Sequence, residues 1–292
     1  MTEVSVVDLE VDGQRLSGRE AKPEAPTRAL LFALHGGSYS SRYYDLQGSP
    51  TASAMQNYAS LRYHVVALDR PGYAASFDVA PESCGFPAQA ATLHAAFDQI
   101  YQRNGQGLPA FVIGHSIGGM IAMTMAAGPI HPEIRGVMAS GMGMVWQPGI
   151  LEMWSSLLGD DTHVSVPNEA RDQIMFAAAG DLVDAAVQAD AGQDLHPIPA
   201  AELRDAVGWH NTMPAIASDI RVPVLHVLPE HDGIWASDHE ARARAADVLK
   251  GIEGSEVMVQ RAAGHSLDAH RAGWAHHLAT AAFVETCIAV RP

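Results

Sequence analysis

The stretch FVIGHSIGGM, residues 111–120, decides how the rest of the chain is read. An apolar run stops at Gly114; His115, Ser116 and Ile117 follow, then a glycine pair, and the chain turns apolar again through IGGMIAMTMAAG. The first run has the make-up of a strand buried on both faces, the second that of a helix. The G-x-S-x-G between them reads as a strand-to-helix turn so sharp that its central residue is strained and its flanks must be small. Such a turn lifts the Ser116 hydroxyl clear of the sheet at the carboxyl end of a strand, where open α/β sheets bind ligands. It also sets the serine over a helix N-terminus whose partial positive charge favours a developing oxyanion. A plain glycine-rich helix start has the same composition, but the strand–turn–helix setting favours a nucleophile.

Outward from this point the pattern repeats. RALLFAL (28–34), YHVVALD (63–69), RGVMAS (135–140), VPVLHVL (222–228) and SEVMVQ (255–260) are further short apolar runs, separated by helical stretches such as AQAATLHAAFDQIYQRNG and DHEARARAADVLKG. Alternation in VSVVDLEV and QRLSGRE predicts a hairpin around Asp12 and Gly13. Strand and helix in alternation predict an α/β fold, a mostly parallel central sheet flanked by helices, in a single domain spanning 1–292. Residues 143–214 break the rhythm. They hold no strand-like run, and their helical spacing (NEARDQIMFAAAGDLVDAAVQAD) is cut by Pro and Gly, which predicts a helical cap inserted between two sheet strands.

A serine is a weak nucleophile at neutral pH and needs a base, which in turn needs an orienting acid. Each should follow a late strand, the acid first. PEHDGIW after one strand offers Glu230 and Asp232; RAAGHSLD after the last offers His265. Asp232 is preferred because it lies further past the strand end, with Glu230 bracing the loop. The other place for an acid, after RGVMAS, reads GMGMVW and holds no carboxylate. Of the fifteen histidines, His226 reads as a core residue, and His276 and His277 on the last helix as solvated. An oxyanion hole needs two donors: the N–H of Ile117, and one from the loop HGGSYSSRYYD, where Gly37 is assigned and Ser38 is the near alternative.

In these residues the chain resembles the α/β-hydrolase superfamily, in its serine-nucleophile, esterase- and lipase-like branch with a helical cap. LHGG, DRPGYAAS, GHSIGG, PEHD and AGHS fall in that family's order and cover nearly everything outside the cap. The resemblance implies a triad of Ser116, Asp232 and His265, and no cofactor or metal. One departure is Ala74, where the family's loop after the fourth strand usually carries a second glycine. A serine nucleophile points away from the dehalogenases and epoxide hydrolases of the superfamily, which use an aspartate.

The function expected is hydrolysis of a carboxylic ester through an acyl-enzyme on Ser116. Thioesterase, lactonase, carbon–carbon hydrolase or cofactor-free lyase chemistry on the same triad are the alternatives, and a non-catalytic ligand-binding protein is the most distant one. Met142, Met144, Trp146, Met153 and Trp154, with Ile234 and Trp235 in the acid loop, suggest an apolar pocket. Ser38 and Tyr39 join Trp146, Trp154 and Trp235 as candidate substrate contacts. No Arg/Lys cluster in the cap suits a coenzyme A phosphate, so a small to medium, largely apolar ester is the expected substrate.

The net charge of −15 argues against nucleic acid and anionic membrane surfaces as partners. Cys84 and Cys287 have no metal-ligand spacing. MTEVSVVDLEVDG has no secretory pattern, so a soluble cytoplasmic protein is expected, with a homodimer left open.

Overall fold

The computed structural model describes residues 2–105, 107–176 and 181–290. The chain opens with the expected hairpin, β1 (Val4–Val11) and β2 (Gln14–Ala21), paired antiparallel. Asp12 and Gly13 both have positive φ, 49° and 79°, as the right-handed twist of a two-residue hairpin requires. Next come β3 (Ala29–Leu34), α1 (Ala54–Ser60), β4 (Tyr63–Leu68), α2 (Phe86–Asn104), β5 (Ala110–His115), α3 (Ile117–Ala127) and β6 (Ile134–Ser140). After a long helical segment follow β9 (Val224–His231), α8 (His239–Leu249), β10 (Glu256–Gly264) and α9 (Gly273–Val290).

The strands form one eight-stranded sheet in the order β1-β2-β4-β3-β5-β6-β9-β10. Only β1–β2 and β2–β4 are antiparallel; every other pair is parallel. β3, β4 and β5 are buried at every position, which is why they read as unbroken apolar runs. The chain moves from β3 outward to β4, then returns to place β5 on the other side of β3. Right-handed crossovers therefore put α1 on one face and α2 and α3 on the other. The carboxyl ends of β3 and β5 flank the resulting crevice, where doubly wound sheets bind ligands. The glycine pair Gly36–Gly37 follows β3 and Ser116 follows β5.

Between β6 and β9 lie α4 (Ile150–Ser156), β7 (His163–Val164), α5 (Asn168–Phe176), α6 (Ala185–Ala191), β8 (Ile198–Pro199) and α7 (Ala200–Asp219). The segment is mainly helical, with residues 177–180 of the quoted helical stretch outside the described residues. Two details differ from the sequence reading. β7 and β8 are two-residue strands that pair with each other, too short to show an apolar run. Helix α7 also continues through Pro214 to Asp219. Proline removes one helical donor, but Met213 and Ala217 are buried on either side of it, and that packing carries the helix on to Asp219. Among the described residues no helix is long and apolar enough to cross a membrane.

Ala74, at the family's glycine position, has φ 44°. The backbone keeps the left-handed turn, and the alanine bears the strain that a glycine would avoid.

Candidate active site

Ser116 sits between β5 and α3 with φ 53° and ψ −122°, a conformation that L side chains rarely adopt. Backbone bonds hold it there: its N–H donates to Ser140 O at 2.7 Å, and its carbonyl accepts from Gly119 and Met120 N–H at 2.8 and 3.1 Å. The flanking glycines are needed for close approach. A Cβ on Gly118 would lie 2.1 Å from Leu34 O, and one on Gly114 would lie 2.3 Å from Gly118 O. Backbone on both sides leaves nothing flexible to give way. Gly118→Ala is therefore expected to cost at least about 3 kcal/mol, measured by urea unfolding of whatever soluble protein forms. A variant as stable as wild type would show that the turn can shift.

The other two residues also stand one position past a strand end. Asp232 follows β9, which runs on to His231, and His265 follows β10, which runs on to Gly264. His265 Nε2 lies 3.0 Å from Ser116 Oγ, and His265 Nδ1 lies 2.9 and 3.1 Å from the two Asp232 carboxylate oxygens. Asp232 Oδ1 also accepts from the N–H groups of Ile234 and Trp235, at 2.8 and 3.3 Å. His265 and Asp232 are both buried. A neutral imidazole with its proton on Nδ1 donates to the carboxylate and leaves Nε2 to accept from the serine hydroxyl. Glu230 is elsewhere: its Oε2 accepts from Ala262 N–H at 2.8 Å, which holds its carboxyl below the usual range. It braces the turn before His265, where Ala262 has φ 57°.

The loop carrying His265 has a clamp that the sequence did not announce. His270 Nδ1 donates to Ser266 O at 2.8 Å, while its Nε2 accepts from Gly264 N–H at 3.0 Å, so one ring brackets His265 from both neighbours. Burial pushes the His270 imidazolium down, which keeps the ring neutral and able to accept.

The two histidines expected to be solvated on α9 are both fully buried. His277 Nε2 donates to Asp268 Oδ1 at 2.8 Å, and its Nδ1 accepts from Asn57 at 2.9 Å. Burial pushes the Asp268 carboxyl up, but the hydrogen bond from His277 outweighs it and holds it well below the carboxylate range. His276 has no hydrogen-bond partner among the described residues, and burial pushes it down to about 4. These residues lie behind the site and link α9 and α1 to the His265 loop.

In front of Ser116 opens a small cavity of about 40 Å³. Gly37, Ser38, Ser116 and Ile117 form its floor, and Trp146, Trp154, Ile198, Leu203, Ile234 and Trp235 are among its walls. None of the lining residues carries a charge. The loop after β3 approaches closely, since a Cβ on Gly36 would lie 3.0 Å from Ser116 Cβ. Ser38 has φ 64° and a buried hydroxyl with no hydrogen-bond partner among the described residues. Trp146 and Trp235 pack ring to ring at 3.8 Å, and Trp146 Nε1 donates to His210 Nδ1 at 3.1 Å.

Tyr39 does not line this cavity. Its ring packs against Tyr43 and under the Arg171 guanidinium, and its hydroxyl lies 3.2 Å from Ser266 Oγ, so both its apolar face and its polar tip are engaged elsewhere. Met142, Met144 and Met153 are also absent from the walls; the methionines present are Met120 and Met175. Met142 is buried beneath, its carbonyl accepting from His226 Nε2 at 2.7 Å. That bond accounts for His226 as a core residue.

A sheet with this strand order, and a Ser, a His and an Asp at three strand ends, defines a class. The profile of the Alpha/beta hydrolase family matches residues 30–280, and the chain belongs to that family. Human monoglyceride lipase is 32% identical over 120 residues, which are 41% of this chain and 37% of the lipase, so the match spans well under half of that relative. Among solved structures, a soluble variant of monoglyceride lipase from Saccharomyces cerevisiae superposes with a TM-score of 0.77 at 16% identity, covering 98% of this chain and 96% of that one. A thermostable carboxyl esterase from Bacillus coagulans gives a TM-score of 0.71 at 17% identity, over 99% and 100% of the two chains. At these identities the two structures establish a shared fold.

Proposed function

We propose that this protein is a serine hydrolase that cleaves a neutral carboxylic ester through an acyl-enzyme on Ser116. The observation that carries the reading is the Ser116–His265–Asp232 hydrogen-bond chain at the floor of a cavity without charged walls. His265 Nε2 takes the Ser116 proton as Oγ attacks the ester carbonyl, and Asp232 stabilises the imidazolium so formed. The N–H groups of Gly37 and Ile117 receive the oxyanion; Ile117 opens α3, where backbone donors have no intrahelical acceptor. His265 returns its proton to the departing alcohol. Water then repeats the sequence on the acyl-enzyme, releasing the acid and restoring Ser116.

The helical segment between β6 and β9 serves as the cap, because α4 and α7 supply Trp154, Leu203, Ala206 and Val207 to the cavity. Walls of this kind suit an apolar acyl chain. The phosphates of a coenzyme A thioester would meet no cation among them. The Ser38 hydroxyl is available to a polar oxygen of the substrate. A monoacylglycerol, a neutral ester with one apolar chain, is the first natural substrate to try, given the names of the human and yeast relatives.

The test is kcat/KM across p-nitrophenyl esters of increasing acyl length, monoacylglycerols, acyl-thioesters and lactones, with wild type beside Trp146→Ala and Trp154→Ala. Neutral esters should be the best substrates. Each tryptophan variant should change the ratio between short- and long-chain esters by about 10- to 100-fold, the worth of one pocket contact. If all esters fall by one common factor, the tryptophans are structural and the cap does not select the substrate.

A further inference from the structure

We propose that the buried Arg70–Glu202 pair is a positioning device through which the cavity-roofing helix α7 orients the Gly36–Gly37 peptide, and with it the oxyanion-binding N–H of Gly37. The inference rests on the acyl-transfer reading above.

Arg70 stands two residues beyond β4, fully buried. Its Nε donates to His35 O at 2.8 Å and its Nη2 to Gly36 O at 3.3 Å, so one guanidinium holds two successive carbonyls of the oxyanion loop. His35 completes the hold. Its Nδ1 donates to Gly36 O at 2.7 Å, and its Nε2 accepts from Arg70 N–H at 3.0 Å. The two ring nitrogens act in opposite senses, which requires a neutral imidazole, and burial together with the Arg70 charge pushes His35 well below its ordinary range.

Gly36 O and Gly37 N–H belong to the same peptide. In a trans peptide they point in opposite directions, and no cis bond occurs among the described residues. Holding Gly36 O against Arg70 and His35 therefore turns the Gly37 N–H to the other side, where Gly37 shares the cavity floor with Ser116 and Ile117. Two glycines in succession have no side chains to hold such a peptide and adopt many conformations, so the orientation has to be imposed from outside the loop.

Glu202 imposes it from the cap. It lies in the first turn of α7 and takes both Arg70 terminal nitrogens, Nη2 at 3.1 Å. Tyr73 and Gln89 each donate to the same carboxylate at 2.6 Å, and Gln89 Oε1 accepts from Arg70 Nη1 at 2.8 Å, so every member of the cluster is satisfied. The next residue along α7, Leu203, is a cavity wall. One helix turn thus touches the substrate space on one side and the oxyanion loop, through Arg70, on the other. Apolar side chains could fill this volume as well, but they could not hold two carbonyls.

That difference supplies the experiment. In Arg70→Met/Glu202→Leu the charges leave together, and such a replacement is often neutral for stability. Arg70→Lys, the second variant, keeps the charge but loses the planar fork. Both are compared with wild type for unfolding temperature, for kcat and KM on one neutral ester, and for inhibition by a matching trifluoromethyl ketone, which forms a tetrahedral adduct on the serine. The expected result in the folded variants is kcat lower by about 30- to 100-fold, approaching the loss of one oxyanion donor. KM should stay within about twofold, and ketone affinity should fall in parallel with kcat. The coupling is overturned if a folded variant turns over ester and binds ketone like wild type, or if kcat falls only with the folded fraction. Ser116→Ala separates the two readings. Its inactivity beside wild-type behaviour of both Arg70 variants removes the coupling alone, whereas turnover by Ser116→Ala removes the acyl-transfer reading and the coupling with it.

Discussion

Ser116→Ala is expected to lower kcat on neutral esters by about 10⁶-fold while leaving a folded protein. Loss of the serine of a triad costs that much because the remaining members have no nucleophile to activate, and what survives is the contribution of the oxyanion donors and substrate binding. The fold should stand because the serine side chain makes no capping bond; its conformation is held by backbone bonds to Ser140, Gly119 and Met120. Alanine bears about the same positive-φ strain, and the one bond lost is that from Oγ to His265 Nε2, at the edge of the cavity. Stability should stay within about 1 kcal/mol of wild type. Two measurements check this together: kcat by a continuous ester assay, and the intact mass after a fluorophosphonate probe, which should add one adduct to wild type and none to the variant. Turnover near the wild-type rate, or an adduct on another residue, would overturn Ser116 as nucleophile.

The sheet was legible because both-face burial leaves a local trace. β3, β4 and β5 are six-residue runs with every side chain inside, and nothing but a strand or a buried helix produces them. The three residues of the hydrogen-bond chain were legible for a related reason: each stands just past a strand end, and strand ends can be located from the run that precedes them. What escaped depends on contacts between distant segments. His276 and His277 sit on an otherwise apolar helix, and a histidine there looks like the wet face. Buried His277 is held by Asp268 and by Asn57, 220 positions away, and no spacing within α9 encodes either contact. Arg70 and Glu202 are 132 positions apart and meet only because α7 is laid over the crevice between β3 and β5. The side on which Tyr39 falls was likewise decided by Arg171 on α5 and Ser266 beyond β10.

Asp232→Asn is expected to lower kcat by about 10⁴-fold, whereas Glu230→Gln should cost less than about tenfold. Which atoms can donate decides the difference. Asp232 Oδ1 accepts from Ile234 N–H, Trp235 N–H and His265 Nδ1, and Oδ2 is also within 3.1 Å of Nδ1. In asparagine only one of these positions remains an acceptor. The backbone donors cannot move, so the amide oxygen takes the Oδ1 place and the NH₂ group occupies that of Oδ2, facing His265. The imidazole then gains by presenting an unprotonated Nδ1 to the amide, which transfers its proton to Nε2. That nitrogen now points a hydrogen at Ser116 and can no longer take the serine proton, and the imidazolium needed in the transition state has lost its counter-charge. Glu230 lies outside this circuit, half exposed and bonded to Ala262 N–H, so its amide version keeps an acceptor for that bond and changes only the bracing of the turn. The comparison is read as kcat for the two variants on one ester, with unfolding temperature recorded for each. Equal losses, or a larger loss for Glu230→Gln, would move the orienting acid from Asp232 to Glu230 and contradict the geometry from which the whole mechanism was drawn.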